Sequence, residues 1–279
     1  MRLDRHCPSR LAVALLALAM LAGCASTDIS SNGGTSAAAL AADPMSADEI
    51  ERNRRVAMAA LAAGDADAAE RMLMRLVTIR PSDPDLHASL GLALYEKGEA
   101  GAALGAFNRA LAFNPQHVGA LVGAGRALIA RGEFERGMAP LRAALERDPT
   151  SIAALNALAV THDMTRDHAT AQALYAKALL AAPDDLAIRN NLALSHMFAG
   201  QRREAIAMFI ELAAHDRAPP RVRQNLALAY GLDGDRDSAA RVARADLPES
   251  AVIGNLAYID AVIGAVHADI PRGQSAPTP

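Results

Sequence analysis

An all-α solenoid of about six helical hairpins, closed by one further helix, follows from three features of the sequence. Prolines recur 34 residues apart at Pro81, Pro115, Pro149 and Pro183. Midway between them runs a second ladder: Gly64, Gly98, Gly132, then Arg166, then Gly200 and Gly234. Apolar residues between these markers fall at helical spacing, so each period holds two helical stretches. Units of this kind cannot bury an apolar face alone and stack on their neighbours.

Order is predicted to begin at Ser46-Ala47-Asp48-Glu49, a capping box in which serine and glutamate satisfy each other's backbone donors. The run Glu49, Glu51, Arg52, Arg54, Arg55 gives the first helix the solvated face that a solenoid end needs. The segment from Pro84 to His117 is the clearest period. Its first helix carries Leu86, Leu90-Gly91 and Leu94-Tyr95 and stops at Gly98, where a left-handed residue is needed. Its second carries Ala103, Phe107 and Ala110 and stops at Pro115, which cannot continue the hydrogen-bond ladder.

Two places in the period stay small. With place one at Ile50, the eighth reads Ala57, Gly91, Gly125, Ala159, Ala193, Ala227, and the twentieth reads Ala69, Ala103, Gly137, Ala171, Ala205, Ala239. Helices approach to about 8–9 Å only where side chains at the contact are small. Place twenty-four is bulky (Leu73, Phe107, Leu141, Tyr175, Phe209) until Ala243, and Asp246 stands where earlier copies carry Leu or Ala, so the sixth copy is degenerate. Ala251 to Val266 follows as an apolar helical stretch that must cap the sixth copy. Its strongly polar residues, Asn255 and Asp260, lie about 140° apart on a helical wheel, leaving no broad polar face.

These residues resemble the tetratricopeptide repeat, from about residue 47 to 247. The resemblance implies a right-handed α-solenoid of about six tetratricopeptide repeats plus a C-terminal capping helix. Departures are Arg166 at the glycine place, Arg217 at a proline place, and the absence of tryptophan. Arg166 implies a strained or differently shaped turn costing about 1 kcal/mol.

The N-terminus reads as a targeting segment. Arg2, Arg5 and Arg10 precede the apolar run Leu11–Ala22, whose 12 residues rise only about 18 Å, short of a bilayer core of about 30 Å. It closes on Leu21-Ala22-Gly23-Cys24, which resembles the lipobox of bacterial lipoproteins. That resemblance implies cleavage before Cys24, a diacylglycerol on its thiol and an acyl chain on its new amino group, and it implies no other cofactor. Two or more chains anchor stably, whereas one is marginal. Ala25 and Ser26 lack the aspartate associated with inner-membrane retention, which favours the periplasmic face of the outer membrane. The expected organisation is residues 1–23 signal peptide, 24–45 lipidated cysteine and flexible tether, 46–247 solenoid, 248–267 capping helix, and 268–279 disordered tail.

Cys7 leaves with the signal and Cys24 is consumed by lipid, so disulfides contribute nothing. Loss of Arg2, Arg5, Arg10 and Asp4 leaves 25 basic against 30 acidic residues, a net of −5 without a basic tract. That disfavours nucleic acid. A solenoid of helix pairs works through a surface that holds other chains, so proteins are the expected partners, with the membrane reached through the lipid anchor.

First helices of the repeat line the concave surface in this family. Places two, five, six, nine, twelve and thirteen then hold Asn156, Asn190, Asn191, Gln224 and Asn225, with Leu92, Tyr95, Val160, Leu194, Met197 and Phe198. An amide both donates and accepts, so a ladder of them can hold an extended peptide by its backbone. The competing reading is an Asn-Leu-Ala stretch whose amide merely faces water. His162 and His196 share place eleven, where other copies carry Leu or Tyr, and read as packed residues. A third convergent ligand is lacking, so no metal is expected. No serine elbow, phosphate loop or HExxH pattern occurs, and no enzyme is expected.

The ending Asp246-Leu247-Pro248…Asn255-Leu256-Ala257-Tyr258, with the lipobox and tether, resembles the TadD lipoproteins of the Flp/Tad pilus. It implies an assembly factor for the pilus or its secretin, with Leu256, Tyr258 and Ile259 on a helix open to a partner. An adaptor for envelope proteases or peptidoglycan enzymes uses the same fold and anchor, and remains the alternative.

Overall fold

The computed structural model describes residues 45–268, with side chains described as far as Ala261. The segments read as signal peptide and, up to residue 44, as lipidated cysteine and tether lie outside the described part, as do the residues after Ala268.

Thirteen helices and no strand occur among the described residues. They form six hairpins: α1 (Ala47–Ala62) with α2 (Ala66–Ile79), α3 (Pro84–Glu96) with α4 (Ala100–Phe113), α5 (Val118–Ala130) with α6 (Phe134–Arg147), α7 (Ile152–Met164) with α8 (His168–Ala181), α9 (Leu186–Phe198) with α10 (Arg202–Ala213), and α11 (Pro220–Leu232) with α12 (Arg236–Ala243). The final helix is α13 (Glu249–Ala268).

Local chemistry sets these boundaries. Ser46 Oγ accepts from the Glu49 amide at 3.3 Å, while the Glu49 carboxylate accepts from the Ser46 amide at 2.8 Å. Asp65, Asp83, Asp167, Asp185 and Asp235 accept first-turn amides of α2, α3, α8, α9 and α12. Such a cap contributes about 1 kcal/mol to its helix. Each hairpin turn is left-handed, with φ of 79° to 90° at Gly64, Gly98, Gly132, Gly200 and Gly234. The fourth turn has the same shape: Arg166 takes φ 67°, and its amide bonds the Asp163 carbonyl as the Gly132 amide bonds that of Ile129. The departure is strain in an ordinary turn.

Helices consecutive in sequence pack on one another, and each first helix also touches the next first helix, from α1–α3 through α11–α13. Second helices meet one another at most marginally. The first helices are therefore the closer-spaced layer, so the stack bends with them on the inside.

The small places are where helices touch. Ala57, Ala69, Ala103, Ala159, Ala171, Ala193 and Ala205 are wholly buried, and Leu73, Phe107, Leu141, Tyr175 and Phe209 fill the gaps beside them. A Cβ built on Gly125 would lie 2.9 Å from the Gly137 carbonyl oxygen. Phe107 presses on two glycines, since a Cβ on Gly91 or Gly123 would stand 2.7 Å or 2.2 Å from its ring. In the sixth copy α12 shrinks to 8 residues, against 14 in α4. Asp246, the misfit of that copy, accepts two hydrogen bonds from Arg223 at 2.7 and 2.6 Å, closing the turn before α13.

Candidate interaction surface

The inner wall is built from places two, five, six and nine of successive first helices. A hollow of about 310 Å³ lies on it over the first three repeats and the start of the fourth. Met58, Leu92 and Val122 line its apolar part, and Arg54, Asp85, Ser89, His117 and Arg126 its polar part. Gly119 and Gly123 open it, because they withhold side chains at places two and six.

The charges there are oriented before any partner arrives. Arg54 is held by Glu51, with Nε to Oε2 at 2.8 Å, and each raises the preference of the other for its charged form. Arg126 stacks over the Tyr95 ring at 4.4 Å and lies 3.7 Å from Glu96. The His117 ring spans the wall, with Nε2 2.9 Å from Asp85 and Nδ1 accepting the Ala120 amide at 3.0 Å. An apolar floor flanked by preset donors and acceptors suits an extended chain, whose backbone needs partners and whose side chains need pockets.

The asparagines of repeats four to six come together differently from a free ladder. Asn191 donates to Asn156 at 3.0 Å and Asn225 donates to Asn190 at 2.9 Å, each pair being 35 residues apart. Place five of one repeat is thus strutted to place six of the next. Asn190 and Met197 are both 4 % exposed and belong to the packed wall. Asn156, Asn191, Asn225, Leu194, Phe198 and Tyr95 are half-buried, and Gln224 is exposed. Of the residues assigned to the groove, Leu92 lines this hollow and Tyr95 lies beneath Arg126 at its edge, while the asparagines of the later repeats lie further along the same wall. The glycines at places two and six of the third copy were the signal for the hollow.

His162 and His196 each tie an α-helix end to the residue opening the next helix. His162 Nδ1 lies 3.0 Å from Asp167, and His196 Nδ1 lies 2.7 Å from the Gln201 side-chain oxygen. Among the described residues no group of three metal-ligating side chains converges.

Asp163 is the buried polar hub that the sequence reading passed over. Its Oδ1 accepts from Ser195 Oγ at 2.6 Å and from His168 Nδ1 at 2.8 Å, and its Oδ2 accepts from Tyr175 OH at 3.1 Å. Burial, with the Asp163 charge beside it, pushes the Tyr175 phenol far above its ordinary range, so the hydroxyl stays a donor. The trio Ser195, Asp163, His168 has the composition of a hydrolytic triad but the wrong wiring. The carboxylate sits between serine and histidine, so the imidazole does not contact the hydroxyl, and Ser195 is wholly buried. The hub joins α7, α8 and α9.

In α13, Val252 and Ile259 are buried, Ile259 against Gly231 of α11, and Leu256 packs with them. Of the three residues assigned to a partner helix, Ile259 is buried and Leu256 half-buried against the solenoid. Tyr258 faces out, 46 % exposed, and so does Ile253 at 59 %. Asp260 pairs with Arg236 and Glu249 with Arg244, which fastens both flanks. No described helix is long and apolar enough to cross a membrane.

Two tetratricopeptide-repeat family profiles match, over residues 56–118 and 94–161. The described residues have the fold of a tetratricopeptide-repeat solenoid. No curated protein matches it by sequence. Among solved structures, PilW, a widely conserved type IV pilus biogenesis factor, is 18% identical with a TM-score of 0.66, over 74% of this chain and 97% of that one. PilF of Pseudomonas aeruginosa is 19% identical with a TM-score of 0.57, over 69% and 88%. A thermophilic tetratricopeptide-repeat protein of Thermus thermophilus is 21% identical with a TM-score of 0.59, over 64% and 98%. At such identities the likeness speaks for the tetratricopeptide-repeat fold alone.

Proposed function

We propose that this protein is a lipid-anchored assembly factor for a Flp/Tad-type pilus or its secretin, working from the periplasmic face of the outer membrane. The observation that carries the protein-holding part is the concave hollow of the first three repeats, with its apolar floor and preset charges. There it holds an extended segment of a pilus component, while Cys24 supplies the lipid attachment. The lipobox-like Leu21–Cys24, the tether behind it and the ending from Asp246 to Tyr258 support the placement. PilW, a protein of similar fold, is described as a type IV pilus biogenesis factor, which supports the same direction.

The testing experiment is deletion of the gene, scored by surface pili and secretin multimers, with complementation by Leu92→Glu/Arg126→Ala. The proposal expects both readouts to fall on deletion and the folded double variant to fail to restore them. Normal pili and multimers in the deletion strain sink it. Mass spectrometry of the mature protein tests the anchor: an acylated N-terminal Cys24 is expected, and an unmodified thiol refutes it.

A further inference from the structure

The last helix carries the register of a repeat's first helix. Asn-Leu-Ala at places six to eight occurs at Asn191–Ala193 and Asn225–Ala227, then again at Asn255–Ala257. The last interval is 30 residues instead of 34, one helical turn shorter, as the shortening of α12 requires. In this register Val252, Leu256 and Ile259 of α13 correspond to Val222, Leu226 and Ala229 of α11. Both sets face the preceding helices.

The other side of α13 is open. In earlier first helices this side meets the repeat's own second helix: at place eight Gly91 meets Phe107 and Gly125 meets Leu141, and at place twelve Ile129 meets Gly137. In α13 this side carries Ile253, Ala257 and Ala261, all exposed, with Gly254 and Tyr258 beside them. The helix runs 20 residues without the turn that would fold a second helix back onto it. Among the described residues the hairpin interface formed six times above is represented in α13 by one half.

We infer that a second copy of this chain fills that half, α13 packing antiparallel on α13 about Ala257. The stripe is self-complementary in this arrangement, which is what a two-fold contact demands. Ala257 crosses Ala257 of the other copy, reproducing the small-on-small contact of places eight and twenty. Ile253 then lies over Ala261, four residues beyond the crossing, and the reverse holds by symmetry. Charge does not oppose it, because the flanking Asp260 and Glu249 are already neutralised by Arg236 and Arg244. One helix pair falls in the small-interface class, below about 1,200 Å², so the dimer is a reversible one. Membrane anchoring of both copies would raise its occupancy.

Sedimentation equilibrium of the full chain in density-matched detergent, over a series reaching high-micromolar concentration, tests this. The mass of the wild type is expected to rise towards twice the monomer. Ala257→Glu is expected to hold it at the monomer while leaving the thermal unfolding curve in place, since Ala257 is exposed. Ile253→Ser, a milder change, is expected to weaken association with no change in fold. A wild type that stays monomeric throughout, or a dimer that survives Ala257→Glu, overturns the inference. Pilus assembly is not read in this experiment, so its outcome stands apart from the proposed function.

Discussion

Asp163→Ala is the substitution whose cost the structure fixes most sharply. It strands Ser195 Oγ, wholly buried, and Tyr175 OH, in a residue 1 % exposed, both of which donate to this carboxylate. Each orphaned buried hydroxyl costs about 1–3 kcal/mol, whereas the more accessible His168 can recover water. Relief from burying a carboxylate offsets part of this, leaving a net loss of about 3 kcal/mol. Asp163→Asn keeps an acceptor for Ser195 and lets Tyr175 OH turn to accept, so about 1 kcal/mol is expected. Urea unfolding gives the totals. Amide hydrogen exchange locates them, because a solenoid opens by neighbouring repeats, and faster exchange should concentrate in α7, α8 and α9. An Asp163→Ala protein within about 1 kcal/mol of wild type, or loss spread evenly along the chain, would refute the reasoning.

Arg166→Gly should stabilise by about 1 kcal/mol, since φ 67° strains a residue with a Cβ, and a raised unfolding midpoint checks it. Gly123→Ala should destabilise by about 1–2 kcal/mol in urea unfolding, because the added carbon would stand 2.2 Å from the Phe107 ring. Adding Phe107→Leu should recover part of that loss, which a double-mutant cycle detects. For Asp246, the hydrogen bonds from Arg223 hold its carboxyl below the usual range. Its stabilisation is therefore present above the unfolded value of about 3.9 and disappears as pH falls through the lower folded value. The difference in unfolding midpoint between wild type and Asp246→Asn should accordingly be full at neutral pH and vanish in acid.

The hairpins were legible because their determinants are local and recur. Glycine or arginine at the turn, proline at the exit, and alanine at places eight and twenty each have a consequence within one period. The inner wall was legible as a set of positions but not as a surface. Asn191 and Asn225 lie where the register puts them, yet whether an amide faces a partner or the next repeat depends on distances between repeats that a period does not contain. The Asp163 hub had a faint signal. Polar residues at places ten and twelve, Thr161, Asp163 and Ser195, stand where most other copies carry apolar ones. Their convergence needed Tyr175 and His168 brought in by the fold. For α13 the wheel showed an apolar helix without showing which side was covered. Only the shifted register, with Ile259 against Gly231, separates the capping face from the open one.

The central claim, that the inner wall holds a pilus or secretin component, is tested most directly by photo-crosslinking in cells. A photoreactive residue at Leu92, on the wall of the hollow, is compared with one at Leu180, 84 % exposed on a second helix. A crosslink to a pilus or secretin subunit from position 92 and not from 180 is predicted. No such adduct at 92 in cells that assemble normal pili would contradict it.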